Sequence, residues 1–273
     1  MLKFTRQSLK DPSVIEQFIE QSKIFYSSGD RVSNYEYIWW KYYLCPMDVY
    51  LVTLLYHEKQ IFRFVQILDS NMDAESIFQI QDFLCLDTKY SFLAFFAIIN
   101  FNVDGKHVFH VSNELSDPLY SKMNYAIEKK LHVCFNLLSF ISWPLMQTLR
   151  LLTRVRILSD LSSLPSGIDR WIKWQKDCPN SSLDVFASEK GCYVVKNFFY
   201  KLLPISIVMK TIDVEIESWQ HKSKFPFVFY MTSLPVSNWS WIKVPNFLLP
   251  HETTVYSTTK RTPFIEFGNL DYF

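Results

Sequence analysis

The chain has 273 residues, 49% of them hydrophobic, which suits one large folded domain or two smaller ones and excludes a disordered tail. Its 28 Lys and Arg nearly cancel its 27 Asp and Glu, so no net field points to nucleic acid, and small molecules or proteins are the expected partners. The cysteines Cys45, Cys85, Cys134, Cys178 and Cys192 are odd in number, widely spaced and without a CxxC pair. That argues against a disulfide framework or a zinc ribbon and for reduced thiols in a cytoplasmic protein.

The opening MLKFTRQSLKDPSVIEQFIEQ has no apolar run behind its basic residues and does not read as a signal peptide. Asp11-Pro12 supply a cap and a first-turn proline, and Val14, Ile15, Phe18, Ile19 and Phe25 recur at helical spacing, predicting an amphipathic helix over 12–26. After the polar turn SSGDRVSN comes YEYIWWKYYLCP, then DVYLVTLLY and QIFRFVQIL on either side of HEK. Both runs are rich in β-branched and aromatic residues and predict a hairpin. SIFQIQDFLCL reads as a further strand, SFLAFFAIINF as a core helix, and KHVFHVS as a strand. At about eleven residues the helix is well short of the roughly 20 a membrane span needs. Helix, three strands, helix, strand is α+β order with a mixed sheet.

LHVCFNLLSFISWPLMQTLRLL (131–152) is long enough to span, but it holds His132, Asn136, Pro144, Gln147 and Arg150 and runs on into TRVRIL. It reads as a basic amphipathic segment, packed in the core or docked on a membrane surface through 131–156. Farther on, VMKTIDVEIES and FPFVFYMTS are strand-like, separated only by the polar WQHKSK, too short for a helix.

Residues 35–68 and 168–200 share an order of Trp, basic or amide residue, short gap, Cys-Pro, strand, Glu-Lys turn and strand. Trp40 and Trp174, and Cys45-Pro46 and Cys178-Pro179, correspond with a one-residue shift, and Glu58-Lys59 and Glu189-Lys190 correspond with a further shift of two. This is an internal repeat, and it predicts matching secondary structure with both tryptophans buried.

Just past KHVFHVS lies NELSDPLYSKMNY (113–125), in which Asn113, Leu119, Tyr120, Lys122 and Tyr125 resemble a pattern late in acetyltransferases of the GNAT superfamily. There an Asn follows the fifth strand and a Leu-Tyr-x-Lys-x-Gly-Phe helix end comes next. Asn124 stands where glycine is usual. Tyr37, Trp40, Lys41, Tyr42 and Pro46, with Gly268 and Asp271 in TPFIEFGNLDYF, resemble a GNAT-like subgroup from bacterial polysaccharide and O-antigen gene clusters. The resemblance implies a GNAT-like α+β fold, a mixed sheet with flanking helices, duplicated as two related halves with the second shortened. The halves are expected at 1–139 and 168–273, joined through 140–167.

The activity implied is N-acyl transfer from a thioester, acyl-CoA, to an amino sugar or nucleotide sugar in surface-polysaccharide biosynthesis. In such enzymes a glycine-rich turn after the fourth strand lets backbone amides cradle the coenzyme A pyrophosphate. Here the corresponding LDTKYSFLA has no glycine, and none occurs between Asp30 and Asp104. Thr88, Lys89, Tyr90 and Ser91 are left to offer hydroxyls, amides and one positive charge, or simply to cap a helix.

Direct attack by an amine needs a base for the ammonium proton and an acid for the leaving thiolate. Asp82 and Glu114 are the candidate bases, unless Asp82 caps or pairs on a sheet edge and Glu114 is a solvated loop charge. Tyr120, on a turn begun by Asp117-Pro118, is the candidate acid and otherwise a core tyrosine, while Asn113 would bind the acyl or pantetheine part. His107 and His110 fall on opposite faces of a strand, and no metal site is expected. GxSxG and GxxxxGK motifs are absent. Trp39, Trp40, Trp219, Trp239 and Trp241 suit either the core or stacking on sugar rings. The missing glycine turn favours a rival reading, a degenerate GNAT-fold protein that binds or scaffolds. A third is an aminoacyl or peptidyl transferase using a carrier other than free coenzyme A.

Overall fold

The computed structural model describes residues 1–25, 34–69, 77–99, 107–111, 127–152, 168–187, 191–200, 202–212, 223–232, 236, 240–244 and 254–257. Its backbone contacts fall into two units. One comprises Met1–Lys129, Asp177–Pro179 and Thr253–Pro263; the other comprises Lys130–Lys176, Asn180–Glu252 and Phe264–Phe273.

The first unit opens with β1 (Leu2–Ser8) and α1 (Pro12–Phe25), followed by α2 (Tyr35–Ile38), which runs straight into a π-helical turn at Trp39–Tyr43. β2 (Asp48–Tyr56) and β3 (Lys59–Asp69) form the hairpin expected from their composition. Their two-residue turn places His57 at φ 47° and Glu58 at φ 62°. Positive φ at both positions matches the right-handed twist of the flanking strands, although neither residue is glycine. β4 (Ile77–Cys85) pairs antiparallel with β3. A 3₁₀ turn at Thr88–Tyr90 leads into α3 (Ser91–Ile99), and β5 (His107–Val111) returns parallel to β4. β1, which has no clear apolar alternation, is held by seven paired positions along β2.

One face of this sheet carries Val52, Leu54, Phe62 and Phe64, buried with Ala94 and Ala97 of α3. Four such side chains taken out of water contribute about 2 kcal/mol each. α3 is a core helix on that side only, since Phe92 and Phe96, one turn apart, are exposed. α1 buries Val14, Ile15, Phe18 and Ile19, and its Phe18 ring meets Tyr42 edge-on at 5.8 Å.

The second unit holds β7 (His132–Asn136) and α4 (Leu137–Leu152), which together split the amphipathic 131–152 segment into a strand and a helix. Asn136 caps α4, its side-chain oxygen accepting the Ser139 amide at 2.7 Å. Among the described residues no helix is long and apolar enough to cross a membrane. After α5 (Ile168–Lys176) come β8 (Ser182–Ala187), β9 (Cys192–Tyr200), β10 (Leu203–Ile212), β11 (Phe227–Thr232) and β12 (Trp241–Lys243). Val195, Val208, Val228, Tyr230 and Trp241 are among its buried cluster.

The repeat is visible strand by strand. β2, β3 and β4 are successively antiparallel with β5 parallel to β4; β8, β9 and β10 are successively antiparallel with β11 parallel to β10. Trp40 and Trp174, on the helices before β2 and β8, are both buried. The one-residue shift has a physical origin: a π-helical turn holds one residue more than an α-helical one, and it lies in the first copy between Trp40 and Cys45. The fold is therefore α+β with the same strand order occurring twice. The short β10–β11 connection, read as lacking a helix, lies largely in 213–222, outside the described residues.

The sheets are not built from contiguous stretches. β13 (Thr254–Ser257) lies between β5 and β6 (Ile127–Lys130) in the seven-stranded sheet, while β7 pairs with β11 and β12 in the six-stranded one. Proline at a position inside a sheet removes a ladder hydrogen bond. Tyr256→Pro is therefore expected to speed amide exchange along residues 107–111, more than 130 positions earlier in sequence, and to leave β9 unchanged, as hydrogen-exchange mass spectrometry will read.

Candidate functional site

The apolar pattern of β4 contains a break. Residues 77, 78, 80, 83, 84 and 85 are apolar, and the polar pair Gln81-Asp82 interrupts them. The pairing follows: Phe64 faces Phe83 and Val65 faces Gln81, leaving Asp82 as the extra residue of a β-bulge. Asp82 has φ 41°, in the left-handed region. A non-glycine residue there costs about 1 kcal/mol, least for Asp and Asn.

The side chain offsets that cost. Tyr42 donates its hydroxyl to Asp82 Oδ2, and Lys41 Nζ lies 3.4 Å from the same oxygen. The Lys41 and Asp82 side chains are only 7% and 15% exposed, so the pair is shielded from water on most sides. Both partners come from the π-helical turn, a local geometry rare in proteins and frequent at functional sites. Its carbonyl end is held by Lys10, whose ammonium donates to the Tyr42 and Tyr43 carbonyl oxygens at 2.9 and 2.8 Å and to that of Cys45. Burial pulls the Lys10 pKa below its ordinary value.

The bulge sits where the sheet opens. β4 and β5 are paired from Ile77↔His107 to Ile80↔His110, after which β4 continues to Cys85 while β5 ends at Val111. Among the described residues, none pairs with the β5-side edge of β4 past Ile80. Two residues beyond Cys85, Asp87 begins the 3₁₀ turn that leads into α3. Asp82, the open strand edge and the start of α3 are thus strung along one strand end, the usual position for a ligand cleft in an open sheet.

Of the residues singled out from sequence, Asp82 is at the bulge, and Thr88, Lys89, Tyr90 and Ser91 form the turn after β4. Asn113, Glu114 and Tyr120 lie outside the described residues, as do Trp219 and Trp239. Thr88 and Lys89 are exposed and Tyr90 and Ser91 half-buried. Lys89 Nζ lies 4.6 Å from the centre of the Tyr90 ring, and that hydroxyl, with Asp87, holds the ammonium pKa above its usual value. Trp40 and Trp241 are buried in their units. Trp39 stacks between Tyr35 and Tyr43 at 5.6 and 4.1 Å. Lys41 and Tyr42 were quoted from sequence only for a resemblance. The polar interruption at Gln81-Asp82 marks the bulge in the sequence, whereas the contacts of Lys41 and Tyr42 with it come from the structure alone.

The start of α3 does not form an ordinary diphosphate cradle. No glycine allows close backbone approach, and the Asp87 carboxylate stands at the head of the turn, ion-paired to Lys59 at 2.8 Å. The open edge of β4, by contrast, fits an extended amide-bearing chain, which adds to a strand edge through main-chain hydrogen bonds. Among the described residues no group of three or more His, Cys, Asp or Glu side chains is placed to hold a metal ion. The five cysteines are thiols, with Cys85 half-buried and the other four buried.

No family model matches the sequence, and no curated protein does. Among solved structures the chain is similar to a tandem GNAT protein from the clavulanic acid biosynthesis pathway, with TM-score 0.46 and 7% identity over 96% of this chain and 99% of that one. It is also similar to a GCN5-related N-acetyltransferase from Anabaena variabilis, with TM-score 0.47 and 11% identity over 93% and 72%. A third is Eis1 from Mycobacterium abscessus, with TM-score 0.44 and 7% identity over 97% and 73%.

The Lys59 hydrogen bond holds the Asp87 carboxyl below its ordinary pKa. A depressed carboxylate pKa contributes stability that is present above the unfolded value and lost as pH falls through the folded one. Lys59→Met is expected to move the Asp87 titration up toward the ordinary carboxylate range, measured by carbon-detected NMR of the side-chain carboxyl.

Proposed function

We propose that the chain is a GNAT-like N-acyltransferase that takes its acyl group from a thioester and passes it to an amine, with an amino sugar or nucleotide sugar of surface-polysaccharide biosynthesis as the acceptor class. The observation that carries the reading is the β4 edge: a strand that outruns its parallel partner after Ile80 and bulges at Asp82. Such an edge offers main-chain groups to the amides of a pantetheine arm and leaves a gap for the acyl carbon.

In this reading the amine nitrogen bonds to the thioester carbonyl carbon and the carbon–sulfur bond breaks. Asp82 already accepts from Tyr42 and Lys41, so Glu114 has the role of base for the ammonium proton, and Tyr120 gives its phenolic proton to the leaving thiolate. Asn113 binds the acyl or pantetheine part. Thr88, Lys89, Tyr90 and Ser91 make the contacts available to a carrier phosphate.

A specific observation favours a second reading. Asp87, ion-paired to Lys59 at the head of the turn, repels a phosphate there and suits a protein that has kept the fold and lost coenzyme A. Titration calorimetry with acetyl-CoA, longer acyl-CoAs and free coenzyme A decides between them. Measurable heat with an acyl-CoA supports the enzyme. Absence of heat with every thioester tried overturns it and leaves the binding-protein reading.

If the carrier phosphates do sit at this turn, Asp87→Asn tightens binding roughly tenfold by removing a repelling charge, and Lys89→Ala weakens it by a similar factor. Tyr120→Phe keeps the ring and removes the proton. It is expected to lower kcat roughly 10²-fold with unchanged melting temperature, and normal turnover would remove Tyr120 from the mechanism.

A further inference from the structure

The second unit repeats the bulge. In the β9–β10 ladder Val195 faces Val208 and Val194 faces Lys210, so Met209 is the extra residue, placed against Val194/Val195 as Asp82 is against Phe64/Val65. The described pairing with the parallel neighbour likewise stops beside the bulge: β10 pairs with β11 up to Val208↔Tyr230, one residue before Met209, while β11 itself runs on to Thr232. Yet Met209 is not in the left-handed region, where the described non-glycine residues are His57, Glu58, Asp82 and Asn180. It is also apolar and buried.

The helix before β8 completes the comparison. Counting forward from the paired tryptophans, Gln175 takes the place of Lys41; counting back from the paired Cys-Pro, it takes the place of Tyr42. Both of those residues grip Asp82 in the first unit. Gln175 is 1% exposed, and neither its Oε1 nor its Nε2 has a hydrogen-bond partner. A buried amide without partners is costly. By its place in the sequence it corresponds to the partners of the first bulge, and Met209 has no polar side-chain group to offer it. α5 does reach this part of β10, since Lys210 Nζ lies 5.8 Å from the Trp171 ring.

We propose that Lys41 and Tyr42 are positioning residues which, through Asp82, lock the β4 bulge in its left-handed conformation and so set the strand edge that receives the acyl donor, and that the second unit, having lost this lock, holds no such site, so that one chain takes up one acyl thioester. The placement of the donor rests on the function proposed above. The lock and its loss rest on the strand pairings and on the side-chain contacts of Asp82 and Gln175.

Glycine reaches the left-handed region without help from a side chain, whereas alanine does not. The lock therefore predicts that Asp82→Ala speeds exchange of the amides of residues 81–84 roughly tenfold or more, that Tyr42→Phe and Lys41→Met do so to a lesser degree, and that Asp82→Gly stays close to the wild type. Acyl-CoA titration of the same proteins is expected to give one site per chain in the wild type, weaker binding for Asp82→Ala and recovery in Asp82→Gly. Equal exchange in the alanine and glycine variants overturns the lock, whether or not a thioester binds. A wild type that binds no thioester while alanine and glycine differ in exchange upholds the lock and overturns only the acyl-donor reading. Two sites per chain overturn the asymmetry.

If the unit 1 variants fail to fold, the second unit supplies the test. Met209→Asp and Gln175→Lys each lower the urea midpoint singly. Together they are expected to recover at least tenfold in the unfolding equilibrium over the sum of the singles, and strict additivity overturns the equivalence.

Discussion

One oxygen atom sets the geometry of the first sheet's open end. Asp82 Oδ2 accepts from Tyr42 and lies within 3.4 Å of Lys41, and through it a residue with positive φ is kept inside a strand. A bulge of this kind bends its strand and strengthens the local twist. The bend occurs where the described pairing of β4 with β5 stops. Keeping a lysine and an aspartate largely away from water costs desolvation, which the shared contact and the Lys10 contacts to the π-helical turn offset. The chain thus spends polar groups in its interior to fix one strand's path, a use of buried charge that serves conformation more than stability.

The two copies diverged in how they accommodate the same extra residue. In the first, the bulge is polar and tied across to a helix. In the second, the extra residue is the buried, apolar Met209, and a polar chain runs elsewhere in the sheet: Asn197 Nδ2 donates to Asp184 Oδ2 at 2.9 Å, and Ser206 donates to Asn197 at 2.7 Å while accepting the Phe225 amide at 3.3 Å. That chain of bonds joins β8, β9, β10 and the approach to β11, so it stiffens the start of the parallel pair and not its far end. One copy ties its polar groups to the bulge and the other ties them to the start of the parallel pair.

Most of the element order was legible because it depends on local composition. The β2–β3 hairpin, α1, α3 and the parallel β5 follow from β-branched runs, helical spacing and a crossover long enough for a helix. The repeat was legible from tryptophan and Cys-Pro spacing, and its one-residue discrepancy turned out to be the π-helical turn. β1, β6 and β13 were missed for a common reason. They are short or polar strands stabilised by partners distant in sequence, and single-strand patterning does not see a partner. The candidate site was half legible. Asp82 and residues 88–91 could be named from their place after a predicted strand, but the grip on Asp82 joins residues forty positions apart through a helix type that sequence does not announce. The polar pair Gln81-Asp82 inside an otherwise apolar strand was present in the sequence and marks the bulge.

β13 has a bearing on how the protein is made. The seven-stranded sheet takes Thr254–Ser257 between β5 and β6, yet both of those strands leave the ribosome more than a hundred residues earlier. At an elongation rate of roughly 5–20 residues per second, the β5 edge waits many seconds for its neighbour. During that interval an unpaired strand beside apolar segments is a template for mispairing. The nascent chain therefore carries an incomplete first sheet through about half of the synthesis of these 273 residues, an interval in which the β5 edge is open to mispairing.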